Sequence, residues 1–367
     1  MARNQVLLIN PNRMRPPIAP VALDYLVDAL MHARFEPILC DLTFADDWTK
    51  TLVQALDDTN PLAIGVTVRN IDDAFMASQD FILQETARIV EVVRQHSDAP
   101  VILGGVGLSI APVQILAYLD ADYGVWGNGE QAFVALLESL AGGDSCGAIP
   151  GVLSRGARRL EGPSVCSPDF PRGVRRNFVD NQRYFREGGQ IGLESKRGCN
   201  QQCIYCIEPF AKGSRVRTLG PHHVAEEMAR LVDQGINVFH FCDSEFNLPR
   251  DHALDVCTAI CDRGLHDHVA WYVYASPQAF DAELAAAMAQ AGCAGVNFGA
   301  DHTDDAMLRK LRRNYNGAAV SLAIEAAAGA GIRVMVDTLF GGPGETRQRV
   351  EQAIATLKES RAVCIGL

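Results

Sequence analysis

Cys199, Cys203 and Cys206 share one short polar segment, Lys196-Arg197-Gly198-Cys199-Asn200-Gln201-Gln202-Cys203-Ile204-Tyr205-Cys206. Three residues separate the first pair and two the second. A zinc site or an ordinary iron–sulfur site takes four protein ligands. Three cysteines would hold three irons of a four-iron cluster and leave the fourth open. An open coordination position is where chemistry can happen. The competing readings are three buried cysteines in a loop, or a zinc site that borrows a histidine. Buried cysteines are common singly. Their crowding in a polar, glycine-bearing loop favours the cluster.

The elements that must position this loop come from two βα rhythms. In the first half, short apolar runs at 6–9, 37–40, 63–66, 101–103 and 123–126 are predicted strands. Helices are predicted near 20–33, 46–58, 72–96, 110–118 and 130–141. Apolar strands separated by helices indicate a doubly wound parallel sheet, and such sheets bind ligands at the carboxyl ends of their strands. The candidate loops there are Asn10-Pro11-Asn12, Thr67-Val68-Arg69-Asn70, Gly104-Gly105-Val106-Gly107-Leu108-Ser109 and Gly127-Asn128-Gly129-Glu130. Gly104-Gly105 after a buried strand would let a bulky group approach the backbone, or would simply make a tight turn. Residues 142–190, rich in Gly, Pro, Ser and Arg, read as a hairpin-bearing linker.

The rhythm then restarts. Strands are predicted at 191–194, 238–241, 270–274, 295–298, 333–338 and 362–367, and helices at 221–235, 250–263, 279–291, 317–330 and 345–360. Repeated βα units without a reversal indicate a partial (β/α)6 barrel, whose functional groups sit at strand carboxyl ends. The domains are therefore expected at 1–145, 146–188 (linker) and 189–367. The chain stops inside the sixth barrel strand, so a barrel incomplete at its C-terminus is expected.

The cysteine spacing, with Tyr205 just before the last cysteine, resembles that of the radical S-adenosylmethionine (SAM) enzymes. The first half resembles the cobalamin-binding domain that precedes many of their barrels. The resemblance covers nearly the whole chain, and only the cysteine triplet is specific by itself. It implies a [4Fe–4S] cluster on Cys199, Cys203 and Cys206, with SAM on the open iron. By the same resemblance SAM is met by Tyr205, Asp243, Glu245, Ser276, Asp301 and the Gly341-Gly342 turn. Cobalamin is met by Asn10, Pro11, Thr67, Val68, Arg69, Asn70, Gly104, Gly105, Val106, Gly107, Ser109, Gly127 and Glu130. Two barrel positions depart from the family pattern: Asp243-Ser244-Glu245 replaces a usual Gly-Gly-Glu, and Ala300-Asp301 a common Glu-Ser. Some cobalamin domains carry Asp-x-His-x-x-Gly after the first strand, where the histidine ligates cobalt. Here the segment reads Asn10-Pro11-Asn12-Arg13-Met14-Arg15, with no histidine before His32. Cobalt without a histidine ligand is expected, with Arg69 facing it or holding a carboxylate.

The resemblance implies a cobalamin-dependent radical SAM methyltransferase acting on an unactivated carbon. Alternatives are a cyclase or rearrangement enzyme with the same cofactors, a non-radical methylase of the tryptophan-methylase type, and a corrinoid carrier or sensor with an inert barrel. The expected substrate is a small molecule or peptide at the domain interface, and a flavodoxin or ferredoxin would supply electrons. Tyr272 and Tyr274, two apart on one strand, share a side; Tyr274, nearer the catalytic end, is the candidate for substrate contact. The formal net charge of −11 gives no footprint for nucleic acid. Basic runs at Arg172–Arg176 and Arg309–Arg313 read as solvated faces. No apolar run suits a membrane, and no signal peptide precedes the first strand. Eleven cysteines then point to a reducing cytoplasm. Cys257 and Cys261, at helical spacing, are expected in the core.

Overall fold

The computed structural model describes residues 4–73, 77–143, 149–158, 162–165 and 175–366. Cys146, Cys166 and residues 172–174 of the first basic run lie outside these. The chain forms two compact units, Met1–Gly189 with Phe210–Gly213, and Gln190–Pro209 with Ser214–Leu367.

In the first unit, β1 (Gln5–Asn10), β2 (Glu36–Asp41), β3 (Ala63–Thr67), β4 (Val101–Gly104), β5 (Tyr123–Val125) and β6 (Val152–Ser154) form one sheet in the order β2-β1-β3-β4-β5-β6. The first five strands are parallel and β6 runs antiparallel to β5. Val6, Leu7, Leu8 and Ile9 are all buried, so β1 is covered on both faces, as a doubly wound sheet requires. The winding reverses between β1 and β3, which makes their carboxyl ends the switch point where this sheet type binds ligands.

The described residues of the stretch expected to be a linker, up to Gly189, belong to this unit. β6 extends the sheet. Residues 175–189 are fixed by a buried ion pair between Arg176 and Asp24 at 2.9 Å. Arg176, read as part of a solvated run, is therefore a core residue. The expected helix at 72–96 begins only at Leu83 and runs to His96. The expected Gly104–Ser109 loop contains a short helix, Val106–Ile110, ahead of the expected one at Pro112–Tyr118.

In the second unit, β7 (Gly192–Leu193), β8 (Lys196–Arg197), β9 (Arg217–Thr218), β10 (Val238–Phe241), β11 (Ala270–Ala275), β12 (Cys293–Asp301), β13 (Arg333–Thr338) and β14 (Cys364–Gly366) occur in that chain order. Six of them form a parallel sheet, β14-β13-β12-β11-β10-β7, with no reversal. That is the winding of a (β/α) barrel segment. Alternate residues divide the two faces. Phe239, Phe241, Trp271, Val273, Val296, Phe298, Val334 and Val336 are buried. His240, Tyr272, Asn297, Met335 and Asp337 on the other face are half-buried, and Tyr274 is exposed.

Among the features with no sequence signal are the following two. β8 and β9 pair antiparallel and close the base of the cysteine loop. A helix at Asp305–Lys310 follows β12. Cys257 and Cys261 both lie on helix Arg250–Asp262, but only Cys257 is in the core as expected; Cys261 is half-buried. No helix among the described residues is long and apolar enough to cross a membrane.

Candidate active site

The three cysteines project from the loop between β8 and β9. Cys199 is buried, Cys203 half-buried and Cys206 exposed. Burial pushes the Cys199 thiol up to about 11, and Glu245, Cys206 and Cys203 add to the shift. Burial also raises Cys206, with Glu208 and Cys203 contributing. The sulfurs thus feel one another, and as thiolates they need a cation. Coordinated iron supplies that charge, so the donor set fits a cluster.

The strand ends bring most of the expected SAM residues into the same region, in different states. Tyr205 donates to Asp301 Oδ2 at 2.5 Å. Asp301 sits at a bulge of β12 with φ of +61°, which turns its carboxylate away from the sheet register. Burial raises its carboxyl above the usual range although Arg313 opposes this. Burial pushes Glu245 up to about 7, against the pull of Arg313 and Lys196.

Asp243 has a supporting place. It accepts from Ser195 N, Ser195 Oγ and Lys196 N at 2.9, 2.5 and 3.2 Å. These bonds fix the start of the cysteine loop. Lys196 also donates to the Glu245 carbonyl. Ser276 is likewise buried, its backbone tied to Asn247 and its hydroxyl accepting from Gln278 N at 3.2 Å. In the turn after β13, a Cβ on Gly341 would meet nothing within 4 Å, and φ is +90°. A flat ring could approach there. A Cβ on Gly342 would lie 2.9 Å from the Met307 side chain, so that glycine serves packing. Glu345 pins the turn by accepting from Gly341 N, and His302 Nε2 lies 3.1 Å from its Oε1 without hydrogen-bond alignment.

The residue most plainly missed from the sequence is Arg313. It lies at the end of a basic run that read as a solvated face, yet its side chain is 6% exposed. Its guanidinium reaches Cys203 Sγ at 2.8 Å, Asp301 at 3.2 Å and Glu245 at 3.4 Å. Burial works against its charge, but Tyr315, Asp301 and Glu245 outweigh it and raise its pKa. Lys196, with a side chain 2% exposed beside Asp243, is the second buried cation that was missed.

In the first unit, the four expected loops follow β1, β3, β4 and β5, adjacent strands of one sheet. Their carboxyl ends therefore share an edge. A Cβ on Gly104 would meet nothing within 4 Å, which leaves backbone access for a bulky group. Gly105 and Gly107 have another purpose. A Cβ on either would come within 2.5 and 2.9 Å of the Val68 carbonyl, and Gly105 has φ of +98°. They let β4 close on the Val68 turn, where Gly107 N donates to Val68 O at 2.9 Å. Ser109 ties two ends together, donating to Gly105 O and accepting from Gly127 N, both at 3.1 Å. Gly127, φ +94°, lies against the Ser164 backbone. Val106 is exposed and Glu130 is buried.

Asn10, expected to face the corrin, is 1% exposed. Its amide is spent on Asp41, Thr43 and Tyr184, each at 3.0 Å. Pro11 beside it is buried. Thr67 is half-buried and Val68 buried. Arg69 donates to Asn70 Oδ1 at 2.6 Å, and both are half-buried at the switch-point loop.

Residues 193–357 match the Radical SAM superfamily, and residues 13–137 match the B12 binding domain. The whole chain is 35% identical, over 431 aligned positions and 72% of the relative, to tryptophan 2-C-methyltransferase of Streptomyces laurentii. It superposes with TM-score 0.91 and 34% identity on the radical SAM methyltransferase TsrM of Kitasatospora setae, solved with cobalamin and a [4Fe–4S] cluster bound. That match covers 99% of this chain and 74% of the other. The same enzyme solved with tryptophan substrate and the SAM analog aza-SAM matches equally, at 35% identity over 99% of this chain and 72% of that one. With the triplet, the two unit folds and this whole-length likeness in agreement, the chain belongs to the cobalamin-dependent radical SAM methyltransferases, enzymes that use cobalamin, a [4Fe–4S] cluster and SAM.

Proposed function

We propose that this enzyme methylates a ring carbon of an indole, with tryptophan as the first substrate to test. The observation that carries the reading is the likeness over the whole chain to a tryptophan 2-C-methyltransferase. The open face of the second sheet is chemically suited to such a substrate. His240 stacks on Tyr272 with centroids 4.6 Å apart, and Tyr274 meets His240 edge-on at 5.5 Å. This aromatic wall can take a flat ring. Asn297 Nδ2 donates to Asp337 Oδ2 at 2.7 Å on the same face, which holds a carboxylate ready for an ammonium group.

When bound, cobalamin, SAM and the cluster supply methyl transfer to carbon. The protein's part is to hold and orient. Cys199, Cys203 and Cys206 would hold the cluster. Glu245, Asp301 and the Gly341 turn would border SAM. The Gly104 edge and the Thr67–Asn70 loop would border the corrinoid. An external one-electron donor of the flavodoxin or ferredoxin class would serve the cluster. All nine cysteines among the described residues are free, which suits a reducing cytoplasm.

Anaerobic incubation with SAM and tryptophan is expected to yield methyltryptophan and S-adenosylhomocysteine together. 5′-Deoxyadenosine without a methylated product would instead indicate a cyclisation or rearrangement enzyme. Tyr274→Phe is expected to retain iron and corrinoid while turnover falls about tenfold, roughly one lost hydrogen bond in the transition state. Unchanged kinetics with the native substrate would remove Tyr274 from substrate contact.

A further inference from the structure

Residues 311–315 dock onto the cysteine loop through three separate ties. Ile204 N donates to Leu311 O at 3.3 Å. Asn314 Nδ2 donates to Gln201 Oε1 at 3.0 Å. Arg313 NH1 donates to Cys203 Sγ at 2.8 Å. The turn follows helix Asp305–Lys310, and Arg312 adopts φ of +59°. Arg312 stays exposed while Arg313 is directed inward.

The guanidinium is then locked from its other side. Its Nε donates to Tyr315 Oη at 2.8 Å, and NH2 donates to Gly299 O at 2.9 Å. Tyr315 is itself held by donating to Gly299 O at 2.7 Å. A planar fork fixed this way keeps one N–H aimed at a single sulfur, which a flexible ammonium would not do. A solvated arginine or a simple charge partner for Asp301 would not need the sulfur contact.

Hydrogen bonds to cysteine sulfur are among the levers that set the potential of an iron–sulfur centre. A cationic donor favours the state that carries the extra electron. We propose that Arg313 is a positioning residue for the cluster, holding the Cys203 sulfur and raising the midpoint potential at which the cluster accepts its electron. The proposal rests on the cluster reading and adds to it a residue outside the cysteine motif.

The test is a mediated redox titration of the reconstituted full chain, followed by the cluster's EPR signal, with iron counted in each sample. Arg313→Gln is expected to keep its iron. At a fixed applied potential its reduced-to-oxidised ratio should fall at least tenfold, which is 59 mV for one electron. Arg313→Lys, which keeps the charge and loses the fork, should fall in between. Tyr315→Phe, which removes one of the acceptors at Nε while Asp301 and Gly299 still hold the guanidinium, should shift the same way by less. A reduced-to-oxidised ratio in Arg313→Gln within twofold of wild type at that potential would overturn the proposal, as would loss of iron from a folded Arg313→Gln. If that variant does not fold, wild-type potentials in both Arg313→Lys and Tyr315→Phe overturn it, and a lowered potential in either supports it. Wild-type protein that takes up no iron would remove the cluster reading and this one with it.

Discussion

A variant with Cys199, Cys203 and Cys206 all changed to alanine is expected to hold no iron and to transfer no methyl group. Wild-type protein reconstituted without oxygen should carry about four irons per chain, as for a [4Fe–4S] centre. The argument rests on donor chemistry. Unmetallated, the Cys199 and Cys206 thiols are driven toward the protonated form by burial first, with Glu245, Cys206 and Cys203 adding at Cys199 and Glu208 and Cys203 at Cys206. Bound iron would supply the counter-charge that three thiolates in one short loop need, beyond the single guanidinium of Arg313 at Cys203. The rest of the second unit has its own core, with Phe241 and Phe246 packed on Trp271, so the triple variant should remain folded. Circular dichroism would show that, and iron analysis would show the loss. A folded triple variant that still assembled a cluster would mean that other residues hold it.

The second large effect is on stability and lies far from any cofactor. Asp24→Ala is expected to destabilise the first unit by about 3–5 kcal/mol, the range for breaking a buried ion pair from one side. Asp24 accepts from Arg176 Nε at 2.9 Å, Asn181 Nδ2 at 2.8 Å, and the backbone N–H groups of Phe178 and Val179 at 3.2 and 3.0 Å. Both charged side chains are essentially buried, at 0% and 1% exposure. Removing the carboxylate strips the guanidinium of its counter-charge and four donors of an acceptor. Asp24→Asn keeps an accepting oxygen and should cost less. Urea unfolding, followed on the first unit, measures both. A loss below about 1 kcal/mol for Asp24→Ala would place this network among weak surface pairs.

That network also shows where the sequence was hard to read. Gly, Pro and Arg composition made residues 142–190 look like a linker, because composition does not reveal a single buried arginine finding its aspartate 152 residues away. The same blindness hid Arg313. A run of four cations around Leu311 has the pattern of a solvated face, and one left-handed residue, Arg312, decides which of them turns inward. Asn10 is hard to read for the opposite reason. A polar residue at a strand end looks the same whether it faces a ligand or closes a hydrogen-bond knot with Asp41, Thr43 and Tyr184.

What was legible had strong local causes. The strands at Val238–Phe241 and Arg333–Thr338 fall where the apolar alternation placed them. The doubly wound sheet and the barrel segment followed from βα order alone. The two-residue strands β8 and β9 are too short to carry any period. The glycines after β4 were visible as a motif, yet only their surroundings divide Gly104, with open space, from Gly105 and Gly107, which make room for the Val68 carbonyl.

The central claim is that one chain holds both an open iron–sulfur cluster and a corrinoid. Metal analysis of the anaerobically isolated, reconstituted protein tests it most directly, with iron, acid-labile sulfide and cobalt measured on the same chromatographic peak. The expected result is about four irons with matching sulfide, together with cobalt showing a corrinoid absorption spectrum. Iron and sulfide without cobalt would remove the first unit's assignment, and protein that retained neither would contradict the account.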